Sequence, residues 1–391
     1  MNQNNQPEET EVLSRAERIK KMTQLMSNVG SFSYLRMGDG ELRWLLAVQE
    51  GNEKYTNPLR REYQVKKGAS VEVRFEVMGL EVKDYDRLLR AYENCTYLDL
   101  YQKVSFNRDN LHRLQLNRDQ SKYTTEGPQT SNLVATWLKT EFAEYVANQR
   151  CLFATAESPL LQQLYQDNRY RKLAFDYWLP NSQPFFHRLR NDGRYYWKYL
   201  DEIKADLRQA IEKYQIDTLF LALGTGAKIL CYELAEEMGI TTFDIGSRVR
   251  SITYAGSSGY QVSRTGYHAF LLRVPFPIFM DAVEKAYPEI TTADLLSRAH
   301  AQLCLDLEMK SQSQDPGFTT LKYFWESYRY YKQHYKPRAK GDPDAEAVVK
   351  DFQRHRRYNG LGIDGKIVVL SSAIKKQAKR LIFPLFGRKV Q

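Results

Sequence analysis

The chain has 391 residues, 42% hydrophobic and 27% charged, with a net charge of +10. It is long enough for a large core and two folding units, and its composition is that of an ordinary globular protein. Cys95, Cys151, Cys231 and Cys304 form no CxxC pair, which argues against a zinc module or a disulfide framework and fits a reducing compartment.

Residues 1–10 are polar and acidic and are expected to be disordered. They lack the basic start and apolar stretch of a signal peptide, and no window reaches the roughly 18 apolar residues of a membrane span. A cytoplasmic location is therefore expected. Val12 to Ser27 reads as a helix with Val12, Ile19, Met22 and Met26 on one face, and Gly30 is available to end it. Ser31 to Arg36 is strand-like and leads into Met37-Gly38-Asp39-Gly40-Glu41, after which a helix runs to Gln49. Helix, strand, glycine loop and helix together open an α/β unit.

The stretch from Asn57 to Asn132 is harder to read, with helices expected at Asp84–Tyr92 and Leu111–Leu116. Arg150 to Thr155 reads as a buried strand, Pro159 to Gln166 as a helix and Lys172 to Tyr177 as a strand. Tyr196 to Tyr214 is a charged helix striped by Leu200, Ile203, Leu207 and Ile211. Asp217 to Leu223 is an unbroken apolar strand. Gly224-Thr225-Gly226-Ala227-Lys228 follows, then the helix Ile229–Met238, Gly239 and the strand Thr241–Ile245. This is a strand–helix–strand crossover, whose parallel strands are buried on both faces.

Beyond about Pro275 helices are expected at Ala282–Leu307 and Leu321–Tyr335. The stripe Leu321, Phe324, Trp325, Tyr328 and Tyr331 of the second reads as core packing. Pro337 to Ala347 reads as a polar linker. From Asp351 onward ten basic residues face two acidic ones, so most of the net charge of +10 belongs to this tail. Lys366 to Phe383 forms an apolar stripe rimmed by Lys375, Lys376, Lys379 and Arg380, and Pro384 stops it. Such a segment suits an anionic membrane surface better than nucleic acid.

Two groups of residues could carry chemistry. Asp39 and Glu41 are hard oxygen donors two residues apart, the minimum set for Mn²⁺ or Mg²⁺ that also holds a phosphate. Gly38 and Gly40 let the backbone approach a ligand, and Arg36 can pair with Asp39 or reach a phosphate. The same acids also suit a surface turn that caps the next helix. The second group, Gly224, Thr225, Gly226 and Lys228, sets a glycine loop at a helix N-terminus, a place for phosphate or merely a tight turn. It matches neither a Walker loop nor Gly-x-Gly-x-x-Gly. Asp244 closes one strand and Glu157 follows another, and both are candidates for a base or a hydroxyl-binding acid. His187 and His268 are isolated and read as structural.

Arg36-Met37-Gly38-Asp39-Gly40-Glu41 resembles the Arg-aromatic-Gly-Asp-Gly-Glu signature of the GT-D-type glycosyltransferases. Gly224-Thr225-Gly226-Ala227-Lys228 with Phe243-Asp244-Ile245-Gly246 is similar to that family's Gly-x-x-Ala-Lys and Asp-Ile-Gly block. The resemblance covers about residues 12–255. It implies a Rossmann-like, mostly parallel sheet flanked by helices over residues 11–275. The resemblance does not account for the rest, which the residues themselves give as a helical extension at 276–336 and a linker with the basic tail at 337–391. It also implies a Mn²⁺ or Mg²⁺ site at Asp39 and Glu41, and a UDP-sugar donor, typically UDP-glucose. The acceptor expected is a glycan, glycoprotein or lipid-linked acceptor. Met37 departs from the usual aromatic, and Ser247 and Arg248 stand where the family tends to have His and an acid. The rival readings are a non-catalytic phosphate- or membrane-binding module and a nucleotide phosphotransferase or phosphohydrolase.

Overall fold

The structure is a computed structural model that describes residues 14–28, 30–53, 61–67, 70–76, 80–100, 105–119, 121–122, 124–126, 137, 141–155, 157–166, 184–189, 196–246, 275–312 and 320–358. The expected disordered N-terminus, the Lys172–Tyr177 strand, His268 and the basic Lys366–Phe383 helix lie outside these residues. The chain divides into two compact units, Met1–Thr253 with Leu271–Val274, and Tyr254–Phe270 with Pro275–Gln391.

The first unit is an α/β fold built on a seven-stranded parallel sheet. Its strands are β1 (Phe32–Met37), β4 (Tyr97–Leu100), β5 (Thr124–Glu126), β6 (Cys151–Thr155), β7 (Phe185–Arg188), β8 (Thr218–Ala222) and β9 (Thr241–Asp244). They lie in the order β5-β4-β1-β9-β8-β6-β7, every neighbour parallel. A separate antiparallel hairpin joins β2 (Arg61–Lys67) to β3 (Ser70–Glu76).

The register sorts the side chains into two faces, because successive residues of a strand point to opposite sides. Tyr97, Tyr34, Phe243, Phe220 and Phe153 are register partners in turn across five adjacent strands. Their rings pack from strand to strand, stacked in Phe220–Phe243 at 5.2 Å and Phe153–Phe220 at 4.8 Å and tilted in Tyr34–Phe243. Trp137 lies on Phe243 at 4.9 Å and packs edge-on against Tyr145 of helix α5 (Phe142–Ala147). The other face is aliphatic: Leu35, Leu98, Leu152, Leu219 and Leu221 share a core with four helices. These are α2 (Asp39–Gln49), α3 (Tyr85–Asn94), α7 (Leu200–Tyr214) and α8 (Gly226–Met238). The expected stripe Leu200, Ile203, Leu207 and Ile211 is the buried face of α7. Met37 belongs to this aliphatic core, so its difference from the usual aromatic bears on packing.

Helix α1 (Arg15–Asn28) precedes β1, α4 (Ser105–Asn110) lies between β4 and β5, and α6 (Ser158–Gln166) follows β6. Several expectations shift. The helix expected at Leu111–Leu116 is only a tight turn, Leu111–Arg113, after α4. β4, β5, β7 and the hairpin were not read from sequence: three are strands of three or four residues, and the hairpin strands are strongly charged.

The second unit is helical among the described residues: α9 (Phe276–Ala286), α10 (Thr292–Gln312), α11 (Thr320–His334) and α12 (Pro343–Tyr358). The helix expected across Ala282–Leu307 breaks after Ala286. Pro288 offers no N–H and forces Tyr287 out of helical geometry, to φ −132° and ψ 75°. The segment expected as a linker at Pro337–Ala347 instead starts α12. The carboxylate of Asp342 accepts the backbone N–H groups of Asp344 and Ala345 at 3.1 and 3.0 Å, and Pro343 opens the helix. No helix among the described residues is long and apolar enough to cross a membrane.

Candidate functional site

The carboxyl ends of β1, β9 and β8 are neighbours, and ligands of open α/β sheets bind beyond such ends. Each end contributes a charged residue to one cluster. Arg36 comes from β1, Asp244 ends β9, and Lys228 lies in the first turn of α8, just past β8. Glu41 comes from the first turn of α2, directly after β1.

Asp39-Gly40-Glu41 is therefore helical rather than an open loop. Gly38 is the N-cap residue, and Oε2 of Glu41 turns back to accept its backbone N–H at 3.1 Å. A Cβ on Gly38 would lie only 2.6 Å from that oxygen, so the missing side chain makes the turn-back possible. Glu41 thus caps its helix, as one reading of the motif required. Of Asp39, the structure describes the backbone, at the first helical position.

Glu41 has a second contact. Its Oε1 lies 2.9 Å from Nζ of Lys228. The same ammonium is 3.1 Å from Oδ2 of Asp244 and donates to the carbonyl of Gly224 at 3.1 Å. Three oxygens thus surround an ammonium that has three N–H groups. Lys228 and Asp244 are buried and Glu41 nearly so. Burial pushes the Glu41 carboxyl up, but the Lys228 ammonium and its hydrogen bond outweigh this and hold it below its ordinary value. Burial likewise works against the Lys228 charge, but Asp244 and Glu41 hold its pKa above the ordinary value.

Arg36 reaches Asp244 from the other side. Its Nε donates to the Asp244 carbonyl at 3.2 Å and lies 3.6 Å from Oδ2. Asp244 is thus the shared counter-ion of two cations. A general base must touch the acceptor hydroxyl, and Asp244 has no exposed side-chain surface, so its position suits holding rather than proton abstraction.

Asp99, which the sequence reading missed, borders the cluster. It is the register partner of Arg36, is buried, and accepts a hydrogen bond from the Tyr34 hydroxyl at 2.5 Å. The single acid in the apolar strand Tyr97-Leu98-Asp99-Leu100 was the available signal. Glu157 lies apart. It precedes α6 beyond β6, one strand position from β8 and three from β1, the latter about 14 Å at the usual strand spacing of roughly 4.8 Å. Its carbonyl accepts the N–H groups of Leu160 and Leu161, which opens the helix. Gly224 has a left-handed φ of +53°, Thr225 precedes α8, and Gly226 is its buried first residue. His187 is paired with Asp206 at 2.8 Å, as a structural histidine would be. Ser247 and Arg248 lie outside the described residues.

A hard divalent ion fits this donor set in kind. Glu41, Asp99 and Asp244 outnumber Arg36 and Lys228, and neither oxygen of Asp244 receives an aligned hydrogen bond. Each Glu41 oxygen has used one of its two lone-pair positions. Among the described residues no three His, Cys, Asp or Glu side chains form a metal cage. An ion here would complete its shell with phosphate and water, as Mg²⁺ ordinarily does.

No protein-family model matches the chain, and no curated protein matches it. Among solved structures it is similar to a selenomethionine-substituted structure of domain of unknown function 1792 (DUF1792). The identity is 16%, over 65% of this chain and 86% of that one, with a TM-score of 0.35. A likeness at that level does not bear on function.

Proposed function

We propose that this chain is a glycosyltransferase that moves a sugar, with glucose the first candidate, from a UDP-sugar to a glycan, glycoprotein or lipid-linked acceptor. One observation carries the reading. Glu41 of the first motif and Lys228 and Asp244 of the second, nearly two hundred residues apart, meet in one buried ionic cluster at the ends of adjacent strands. Both motifs are the ones whose resemblance pointed to the GT-D family.

In this reading the donor diphosphate lies over the ends of β1, β9 and β8. The Nη groups of Arg36 donate to its phosphate oxygens, and Lys228 with Asp244 fixes Glu41 and Arg36 in place. Asp39 and Glu41 would hold Mn²⁺ or Mg²⁺, which when bound neutralises charge on the leaving diphosphate. The sugar carbon gains oxocarbenium character as the bond to the diphosphate opens, as in glycoside hydrolysis. Glu157, partly exposed past the end of β6, is a candidate for the acceptor side.

A screen of UDP-sugars with Mn²⁺ tests this, using wild type, Asp39→Ala and Glu41→Ala. Release of UDP by wild type and a loss of at least about 100-fold in both variants is expected, about 2.7 kcal/mol of transition-state stabilisation. Equal turnover in all three proteins would remove the site assignment.

A further inference from the structure

The cluster contains two cations that differ in what they have left to offer. The Lys228 ammonium is buried and ringed by three protein oxygens. Arg36 uses only Nε, and among the described residues none of the four N–H bonds on its Nη atoms has a hydrogen-bond partner. Its side chain keeps 19% of its surface exposed.

What lies against that fork is Gly246, two residues after Asp244. Its φ is +47°, in the left-handed region. A Cβ built on it would overlap Nη2 of Arg36, and would lie 3.3 Å from the Arg36 Cζ and 3.4 Å from Oδ1 of Asp244. Two constraints therefore meet at one position. Asn or Asp often tolerates the left-handed backbone. Any residue with a Cβ here would force the end of the Arg36 side chain to move. Gly224 and Gly239 share the left-handed backbone; for Gly239 the nearest atom to an added Cβ is a carbonyl at 3.7 Å, an ordinary contact. The guanidinium contact thus sets Gly246 apart from Gly239.

We propose that Gly246 is a positioning residue for Arg36. The Asp244 carbonyl holds Nε, the bare Cα of Gly246 lets the guanidinium settle beside it, and the Nη fork is left to grip a phosphate of a nucleoside diphosphate. This rests on the donor reading above. A planar fork matches two phosphate oxygens at once, which a lysine ammonium does not. A Cβ at position 246 displaces the fork and weakens the grip on the donor. That contact exists before as well as during the reaction, so KM rises more than kcat falls.

The test is a double-mutant cycle read by calorimetric binding of UDP and of inorganic pyrophosphate to the full chain. Gly246→Ala is expected to weaken both by at least tenfold in the wild-type background and by less than twofold in an Arg36→Ala background. Equal losses in the two backgrounds, or a loss below twofold in wild type, would overturn the proposal. If Gly246→Ala alone does not fold, Arg36→Lys reads the same grip, since it keeps the charge and removes the fork. A tenfold loss is expected, and unchanged affinity overturns the proposal. The cycle as expected without turnover of any UDP-sugar would sink the donor reading and leave the positioning role standing. Turnover with a null cycle would do the reverse, and wild type binding neither probe would overturn both.

Discussion

Lys228 is the residue on which the cluster turns. Removing its ammonium strips the nearly buried Glu41 carboxylate of the cation it touches and leaves the buried Asp244 with Arg36 alone. Lys228→Met should therefore cost about 3–5 kcal/mol in urea unfolding, as breaking a buried ion pair does. The pH dependence follows from the two shifts. Glu41 is held below its ordinary value of 4.5, so its contribution is present above that value and lost as pH falls through its folded value. Lys228 is held above its ordinary value of 10.5, so its contribution is present below that value and lost as pH rises through its folded value. The cluster is therefore expected to be fully stabilising between those limits, and the alkaline loss should be smaller in Lys228→Met. The types of these residues were legible in the sequence, but their partners were not. Nothing local says that Lys228 faces Glu41 rather than a ligand, because that contact depends on β1, β9 and β8 being neighbours. The backward turn of Glu41 onto Gly38 was legible, as the capping alternative.

The long elements could be read because their patterns are strong. The apolar run of β8, the stripe of α7 and the glycine that ends α8 all stand where the sequence puts them. Gly239 ends α8 at φ +65° with ordinary space around it. Gly239→Ala should therefore cost only the left-handed penalty, about 1–2 kcal/mol, measured as a lower melting temperature. The start of α12 was hidden because Gly341, Asp342 and Pro343 are also what a linker is made of. Two backbone N–H groups on the Asp342 carboxylate separate the cases. Asp342→Ala should remove that cap and cost about 1 kcal/mol, read by the same melting experiment. Short strands such as β5 and β7 were missed because three or four residues carry no period, and their pairing is supplied by neighbours far away in sequence.

At the scale of the whole molecule the two units carry different pH liabilities. In the second unit His300 is buried, stacked on Phe352 at 3.9 Å, with Nε2 at 2.7 Å from the Tyr331 hydroxyl. Burial pushes its pKa down from 6.5 to about 3. The folded unit then resists a proton that the unfolded chain takes up. Stability is therefore unaffected above about pH 6.5 and falls as pH drops towards 3, by about 1.4 kcal/mol per pH unit. His300→Phe should flatten that slope in urea unfolding at pH 7 and pH 5. Tyr331 was legible as core from the helical stripe, and its side chain is 1% exposed. His300 was not, since a lone histidine in a helix has no pattern to mark it. In the first unit the two motifs meet in one buried ionic cluster, which we propose as the donor-phosphate site. The most direct measurement of that role is kcat/KM for the best UDP-sugar with Mn²⁺ in wild type and Glu41→Gln, with folding of both checked by circular dichroism. The site described here predicts a loss of at least about 100-fold with the fold intact. An equal kcat/KM in the two folded proteins would contradict it.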